Sequence, residues 1–372
     1  MSRAREFADL ASSADSGGIA GKNLLDNAAF LVAQKGTSFS ITNPNAPLRA
    51  LDRWTYRRSG TFANVRFTVS QSTGPSAGNL PHAMKIQTTT AEGNNPNDNE
   101  GTAFSQGVER QDIEHIGFGT NTCKPCTMSF YVKSSITGTF YAALYSGAHA
   151  QVVHQPYTIN SANTWEYKTV TFPALTSGTD NGLADNSIGL AVYWILDTVN
   201  HPSGVAGTWR DTTGGDNNPL FTPSGAGNTG FVNTLNATFE ISGCKLEVGE
   251  KATPFELRSF GDELARCQRY FWRSTGSDFH AVASGNNRST TSARVFLPNP
   301  QIMRSAPTIS ISGTMRGSTG GGNRDITTIA AVWAGLNSNM VSVSSSSLTT
   351  GNGFVLHHVN NSSNYIQGDS EL

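Results

Sequence analysis

Apolar and polar residues alternate along most of this chain with a period of two. In residues 127–135, TMSFYVKSS, Met128, Phe130 and Val132 fall on one side and Ser129, Tyr131 and Lys133 on the other. That is the pattern of a half-buried β-strand. The runs RFTVS (66–70), HAMKIQTT (82–89), TFYAALYSG (139–147), WEYKTVTFP (165–173), IGLAVYWIL (188–196) and ATFEISGCKLEVG (237–249) are equally rich in β-branched and aromatic residues. Gly, Pro, Asn and Asp clusters bound them, and SSITG predicts a hairpin turn. At least seven strands without interleaved helices or a repeat period predict an antiparallel β-sandwich of jelly-roll type over residues 22–253.

One stretch changes period. Thr253-Pro254 ends a strand, because proline has no N–H to give a ladder. SFGDELARCQRYF then carries Phe260, Leu264, Cys267 and Phe271 at near-helical spacing, with Asp262 and Glu263 early and Arg266 and Arg269 late. That charge order suits the helix dipole. Residues 254–274 therefore read as a helical connector, and residues 275–372 return to strands, as in STTSARVFLPNPQIMRSAPTISISG and ITTIAAVWAGLNSNMVSVSSSS. This second, small C-terminal β domain has few large apolar residues, the composition of a fold that gains from an oligomeric partner. Before all this, Phe7 and Leu10 form a short apolar face within residues 1–21, suited to ordering on a partner.

Composition narrows function. Of 372 residues, 14% are charged and the net charge is −1, which gives no steering toward nucleic acid or anionic membranes. No apolar run is long enough to span a bilayer, and the first residues lack the apolar core of a secretory signal, which predicts synthesis in a cytosol. Four cysteines (Cys123, Cys126, Cys244 and Cys267) are too few for a disulfide scaffold. Cys123-Lys-Pro-Cys126 precedes a strand rather than opening a helix, so it lacks the setting that lowers a redox thiol's pKa. No metal ligand set is assigned.

Candidate chemistry is sparse. There is no nucleophile elbow and no phosphate loop. The acidic stretch ERQDIEH holds Glu109, Asp112, Glu114 and His115, and paired carboxylates cleave glycosides, but a charged, solvated loop is the better reading of it. EGNNPNDNEG (92–101) offers oxygen ligands for a structural calcium without the ordered spacing of a dedicated loop. For binding, Trp209 in AGTWRDTT and Trp333 in AAVWAGLN each offer a flat face for a sugar ring, or else packing at a sandwich rim or subunit seam.

A family resemblance adds to this. KNLLDNAAFLVAQKGTSFS, LDRWTY, CKPCTMSFYVKSSITGTFYAALYS, FEISGCKLEVGEKATPFELRSFGDELARCQRYF and VFLPNPQIMRSAPTISISG, in this order, resemble tail-fibre-like virion proteins of tailed, often marine, bacteriophages. The chain departs from the family pattern at Ala28, where glycine is commoner, and at Cys123 and Cys126. The resemblance implies a carbohydrate-binding-module-like jelly-roll, a helical connector and a C-terminal β domain in a non-enzymatic virion appendage on the tail or head surface. It implies a homotrimer, with Phe260, Leu264, Cys267 and Phe271 near the threefold axis. Residues 1–21, through Phe7 and Leu10, would join other virion proteins, and host surface polysaccharide would be the receptor. A capsid decoration or head-fibre protein is the alternative, and a polysaccharide-degrading tailspike a more distant one.

Overall fold

The computed structural model describes residues 22–43, 47–93, 100–198, 204–212, 219–220, 223, 229–276, 280–320, 322–326, 328–359 and 361–371. Phe7 and Leu10 lie outside them. The chain forms two compact units, Met1–Ser259 and Phe260–Leu372.

The first unit's strands begin with β1 (Ser38–Ile41), β2 (Leu48–Arg49), β3 (Thr55–Ser59), β4 (Arg66–Thr73), β5 (His82–Thr90) and β6 (Gly101–Glu109). They continue with β7 (Cys126–Ser134), β8 (Gly138–Ser146), β9 (Gln151–Ile159), β10 (Glu166–Phe172), β11 (Ile188–Thr198), β12 (Arg210–Asp211) and β13 (Thr238–Val248). One sheet runs β1-β4-β5-β13-β7-β10 and the other β12-β9-β8-β11-β6-β3-β2. The chain crosses repeatedly from one layer to the other, which makes the unit a jelly-roll sandwich. Rings fill the interlayer: Phe130 on β7 meets Trp194 on β11 at 5.5 Å between centroids, and Tyr56 on β3 meets Phe67 on β4 at 5.6 Å. Burying each such side chain contributes roughly 1.5–3 kcal/mol.

Strand β11 reads as an almost unbroken apolar run because both its faces are covered. Leu190, Val192 and Trp194 face the interlayer core, whereas Ala191, Tyr193 and Ile195 join Ala143, Val152 and Leu220 in a second apolar cluster on the sheet's other face. Part of the long polar segment after β11 lies over that face. The Pro219 carbonyl lies 2.9 Å from His154 Nε2 and the Leu220 side chain is buried in the cluster, while β12 extends the sheet's edge by pairing with β9.

A polar clamp joins the unit's first and last residues. Asn23 donates to the Cys244 carbonyl (3.0 Å) and accepts from Leu246 N–H (3.1 Å), while Arg258 donates to the carbonyls of Asn23 (2.8 Å) and Leu25 (2.9 Å). Beside it, Lys245 lies 3.4 Å from Glu247 with both side chains almost wholly buried. Lys245 also donates to Thr253 Oγ1 and, at 3.0 Å, to the Pro254 carbonyl. Glu247 accepts from Thr253 N–H (2.7 Å) and Oγ1–H (2.6 Å). A buried ion pair is tolerable only with such additional partners, so the KLEVGEKATPF sequence folds its own tail back onto β13.

The second unit opens with α1 (Phe260–Gln268), the one helix of the α type among the described residues. Asp262 and Glu263 lie in its first turn and Arg266 in its last. The sequence pattern carries the helix to Phe271, but the chain leaves it after Gln268. Phe271 instead opens β14 (Phe271–Gly276), because it pairs with Asp369 on the last strand. The following strands are β15 (Ala281–Asn287), β16 (Ser292–Pro298), β17 (Thr308–Ser312), β18 (Met315–Thr319) and β19 (Gly322–Ile326). Then come β20 (Thr328–Ala334), β21 (Ser338–Ser344), β22 (Gly353–His358) and β23 (Asn361–Asp369). They make a three-stranded sheet, β14-β23-β17, and a seven-stranded one, β19-β18-β22-β15-β16-β21-β20. Its core holds Trp272, Ala293, Val295, Leu297, Met315, Val341, Val343 and Leu356.

Candidate functional site

The seven-stranded sheet of the second unit is two-sided. On β16, Ala293, Val295 and Leu297 are buried, and the intervening Arg294 and Phe296 point the other way, with Phe296 56% exposed. The pairing register places Ser284, Phe296, Met340 and Trp333 side by side on the neighbouring strands β15, β16, β21 and β20. Arg294 lies one rung along, opposite Asn286 and Ser342.

A β-bulge brings Trp333 to this row. Ala331 pairs with Val341, so an uninterrupted ladder would set Trp333 opposite buried Asn339, on the inner phase. The register shifts after Ala331, and Trp333 pairs with Met340 instead. Bulges re-aim side chains in this way. The ring ends 64% exposed, with the Arg294 guanidinium 5.8 Å from its centroid, within cation–π range. The indole N–H has no hydrogen bond among the described residues. Ser284, Asn286, Arg288, Arg294, Phe296 and Trp333 are among the residues around a groove of about 500 Å³. Gly285 forms part of it because β15 presses close to β16, and a Cβ there would collide with the Arg294 carbonyl oxygen. The surface offers apolar rings on neighbouring strands, amide and hydroxyl groups, and guanidinium donors. Such a surface can hold a flat, hydroxylated ligand by stacking and hydrogen bonding.

The other sequence candidates fall elsewhere. Trp209 is partly buried against the first unit's core; its N–H donates to the Pro173 carbonyl at 2.8 Å, and its ring meets Phe118 edge-on at 6.1 Å. Along the connector motif, Phe260 is 58% exposed, Leu264 is half-buried, and Cys267 and Phe271 are buried. Glu109 has no exposed surface and accepts from Gln111 (2.7 Å). Asp112 and Glu114 are exposed. Arg110 grips Asp180 with both terminal nitrogens (3.1 and 2.6 Å) beside a pocket of about 230 Å³ that Glu114 and His149 also line. ERQDIEH thus presents no open carboxylate pair formed with Glu109.

Within the calcium candidate, residues 94–99 lie outside the described residues, and the Glu92 carboxylate is taken by the N–H groups of Ala63, Asn64 and Val65 (2.8, 2.9 and 2.7 Å). No group of three or more metal-ligating side chains occurs among the described residues. Burial pushes the Cys126 thiol up to about 12 and raises that of Cys123, so neither is a thiolate near neutrality. No helix among the described residues is long and apolar enough to cross a membrane.

No protein-family model matches the chain, and no curated protein sequence matches it. Solved structures do. The enzymatically active domain of tailspike protein 4 of bacteriophage CBA120 aligns over 61% of this chain with 11% identity and a TM-score of 0.29. The alignment spans only 21% of that tailspike domain. TmCBM61, solved with beta-1,4-galactotriose, aligns over 61% of this chain and 99% of its own, at 10% identity and a TM-score of 0.27. The family 11 carbohydrate-binding module of a Clostridium thermocellum cellulosomal cellulase aligns over 57% of this chain and 95% of its own, at 11% identity and a TM-score of 0.27. At such scores the likeness bears on neither ligand nor chemistry.

The sequence singled out Trp333 but not Phe296 or Arg294. A signal for both was present: in SARVFLP, Ala293, Val295 and Leu297 keep one phase, and Arg294 and Phe296 keep the other. A phenylalanine in phase with an arginine on an alternating strand is a candidate for display.

Proposed function

We propose that this protein is a non-enzymatic virion surface component of the tail-fibre type, whose second unit binds glycan on the host surface through Trp333 and Phe296. It assembles in the host cytoplasm as a homotrimer, attaches to other virion proteins through residues 1–21, with Phe7 and Leu10 as the docking face, and displays the second unit outward. The observation that carries glycan binding is the bulge after Ala331, which sets Trp333 on an open sheet face beside Phe296. Exposed aromatic rings cost solvation and aggregation resistance, so a fold that spends a register shift on exposing one has a use for it. Exposed Phe260 and half-buried Leu264 on α1 supply a surface for the subunit seam.

Glycan-array and cell-surface binding by the full chain and by Trp333→Ala tests the binding role. Carbohydrate binding that falls at least about tenfold in the variant, at unchanged melting temperature, is expected. Equal binding by both proteins overturns the role of this face. Light scattering tests assembly: a trimer that dissociates in Phe260→Asp/Leu264→Asp is expected, and a monomeric wild type rules the trimer out.

A further inference from the structure

The charges around the groove in the second unit are of one sign. Arg288 and Arg294 contribute to it, and among its described lining residues there is no Asp or Glu. Neither guanidinium makes a hydrogen bond or ion pair among the described residues, and that of Arg294 lies over the face of Trp333. Elsewhere in the same unit the habit differs: Arg316 pairs with Asp325 at 2.8 Å, and Arg273 donates to Gln367 at 2.8 Å. Arg294 is also half-buried. A guanidinium carries five N–H donors in a planar fork that fits a carboxylate bidentately. Holding such a group partly desolvated with its donors unspent is unfavourable unless a ligand supplies the acceptor.

We infer that the ligand of this face is an acidic saccharide, a glycan with uronate-type carboxylates, in which a ring stacks on Trp333 and its carboxylate is taken by Arg294. This rests on the glycan-binding role proposed above and narrows it. Stacking on Trp333 is indifferent to charge, because any sugar ring has an apolar face. Discrimination comes from Arg294, with a smaller, salt-screened contribution from exposed Arg288. Lysine would not replace Arg294, since an ammonium lacks the planar fork.

Calorimetry with the full chain tests this, using oligogalacturonate, the same oligomer with its carboxyl groups reduced to alcohols, and a sulfated oligosaccharide. The wild type is expected to bind the uronate about tenfold more tightly than the reduced oligomer. Arg294→Gln is expected to bind the two alike, at the affinity of the reduced form. Arg294→Lys should recover only part of the difference, and Trp333→Ala should lose both ligands. Equal wild-type affinity for uronate and reduced oligomer, with Trp333→Ala still defective, overturns the acidic preference and leaves the aromatic platform standing. A preference for the sulfated oligomer over the uronate overturns the carboxylate assignment. No binding of any of the three, or binding unaffected by Trp333→Ala, overturns both this inference and the role of the face. So does an oligomer that Trp333→Ala dissociates, since the face would then be a seam between copies.

Discussion

Trp209 and Trp333 are the two tryptophans that the sequence offers as flat faces for a sugar ring, and the molecule treats them in opposite ways. Trp209 lies just before edge strand β12 of the first unit; its ring is partly covered against the interlayer core and its N–H is spent on Pro173. Trp333 belongs to an outer strand of the second unit's large sheet, whose outward face leaves Phe296 and Trp333 exposed among the described residues. Both sheets present one face to a core and have a second face to dispose of. The first unit buries its second face under its own chain, through Leu220 and the Pro219 carbonyl against His154. The second leaves rings and a guanidinium there. An apolar side chain on a β-sheet therefore reveals little until the fate of both faces is known.

The sharpest way to calibrate that contrast is to remove a ring that belongs wholly to the interior. Trp194→Ala should destabilise the first unit by about 3–5 kcal/mol in denaturant unfolding, with glycan binding by the second unit retained. Acid should act next, through the covered face. Burial, with the nearby Arg210 charge adding to it, pushes the His154 imidazole down to about 3, and its Nε2 lies 2.9 Å from the Pro219 carbonyl. The unfolded chain takes up a proton near pH 6.5, whereas the folded chain does not until about pH 3. The stability His154 confers is therefore complete above pH 6.5 and is lost as pH falls toward 3, by on the order of 4 kcal/mol. His154→Phe should flatten that part of the stability–pH curve of the first unit; an unchanged slope would place the acid sensitivity elsewhere.

Smaller effects separate the two tryptophans directly. Trp209→Ala should cost about 1–3 kcal/mol, from lost packing and an orphaned Pro173 carbonyl, and should leave glycan affinity unchanged. Trp333→Ala should change stability by no more than about 0.5 kcal/mol and abolish binding. Deleting Val332 is the mildest lesion. It removes the extra residue while keeping Trp333 opposite Met340, so binding should survive, which calorimetry on the deletion variant would check.

Much of the architecture was legible in the sequence. The seven strand runs of the first unit appear as β4, β5, β7, β8, β10, β11 and β13 within a residue or two, apart from a longer end to β4 and β11. Period-two alternation with Gly and Asn boundaries is a local signal that each strand carries in its own residues. Strand β6, GTAFSQGVE, escaped because its small polar residues look like loop although nearly all are buried. In β9, QVVHQPYTI, Pro156 hides a strand that the ladder to β8 accommodates. The helix overran to Phe271 because helical spacing cannot register a strand partner about a hundred residues away. The site was half legible. Trp333 stands out as an aromatic in a small-residue setting, but which way it faces depends on the register between β20 and β21. Arg294 emerges only in three dimensions, where its guanidinium lies over Trp333 and makes no hydrogen bond or ion pair among the described residues.

The clamp at the ends of the first unit has a mechanical consequence. Leu24 N–H bonds to the Leu246 carbonyl at 2.9 Å, and Arg258 reaches back to Asn23 and Leu25. Tension applied to the chain at residue 22 and drawn off at residue 259 therefore runs through this short bridge of paired backbone and guanidinium contacts. The sandwich hangs beside the line of force as an unloaded loop. Pulled from those two points in an optical trap, the unit should resist until the bridge shears, and only then should its strands begin to unravel.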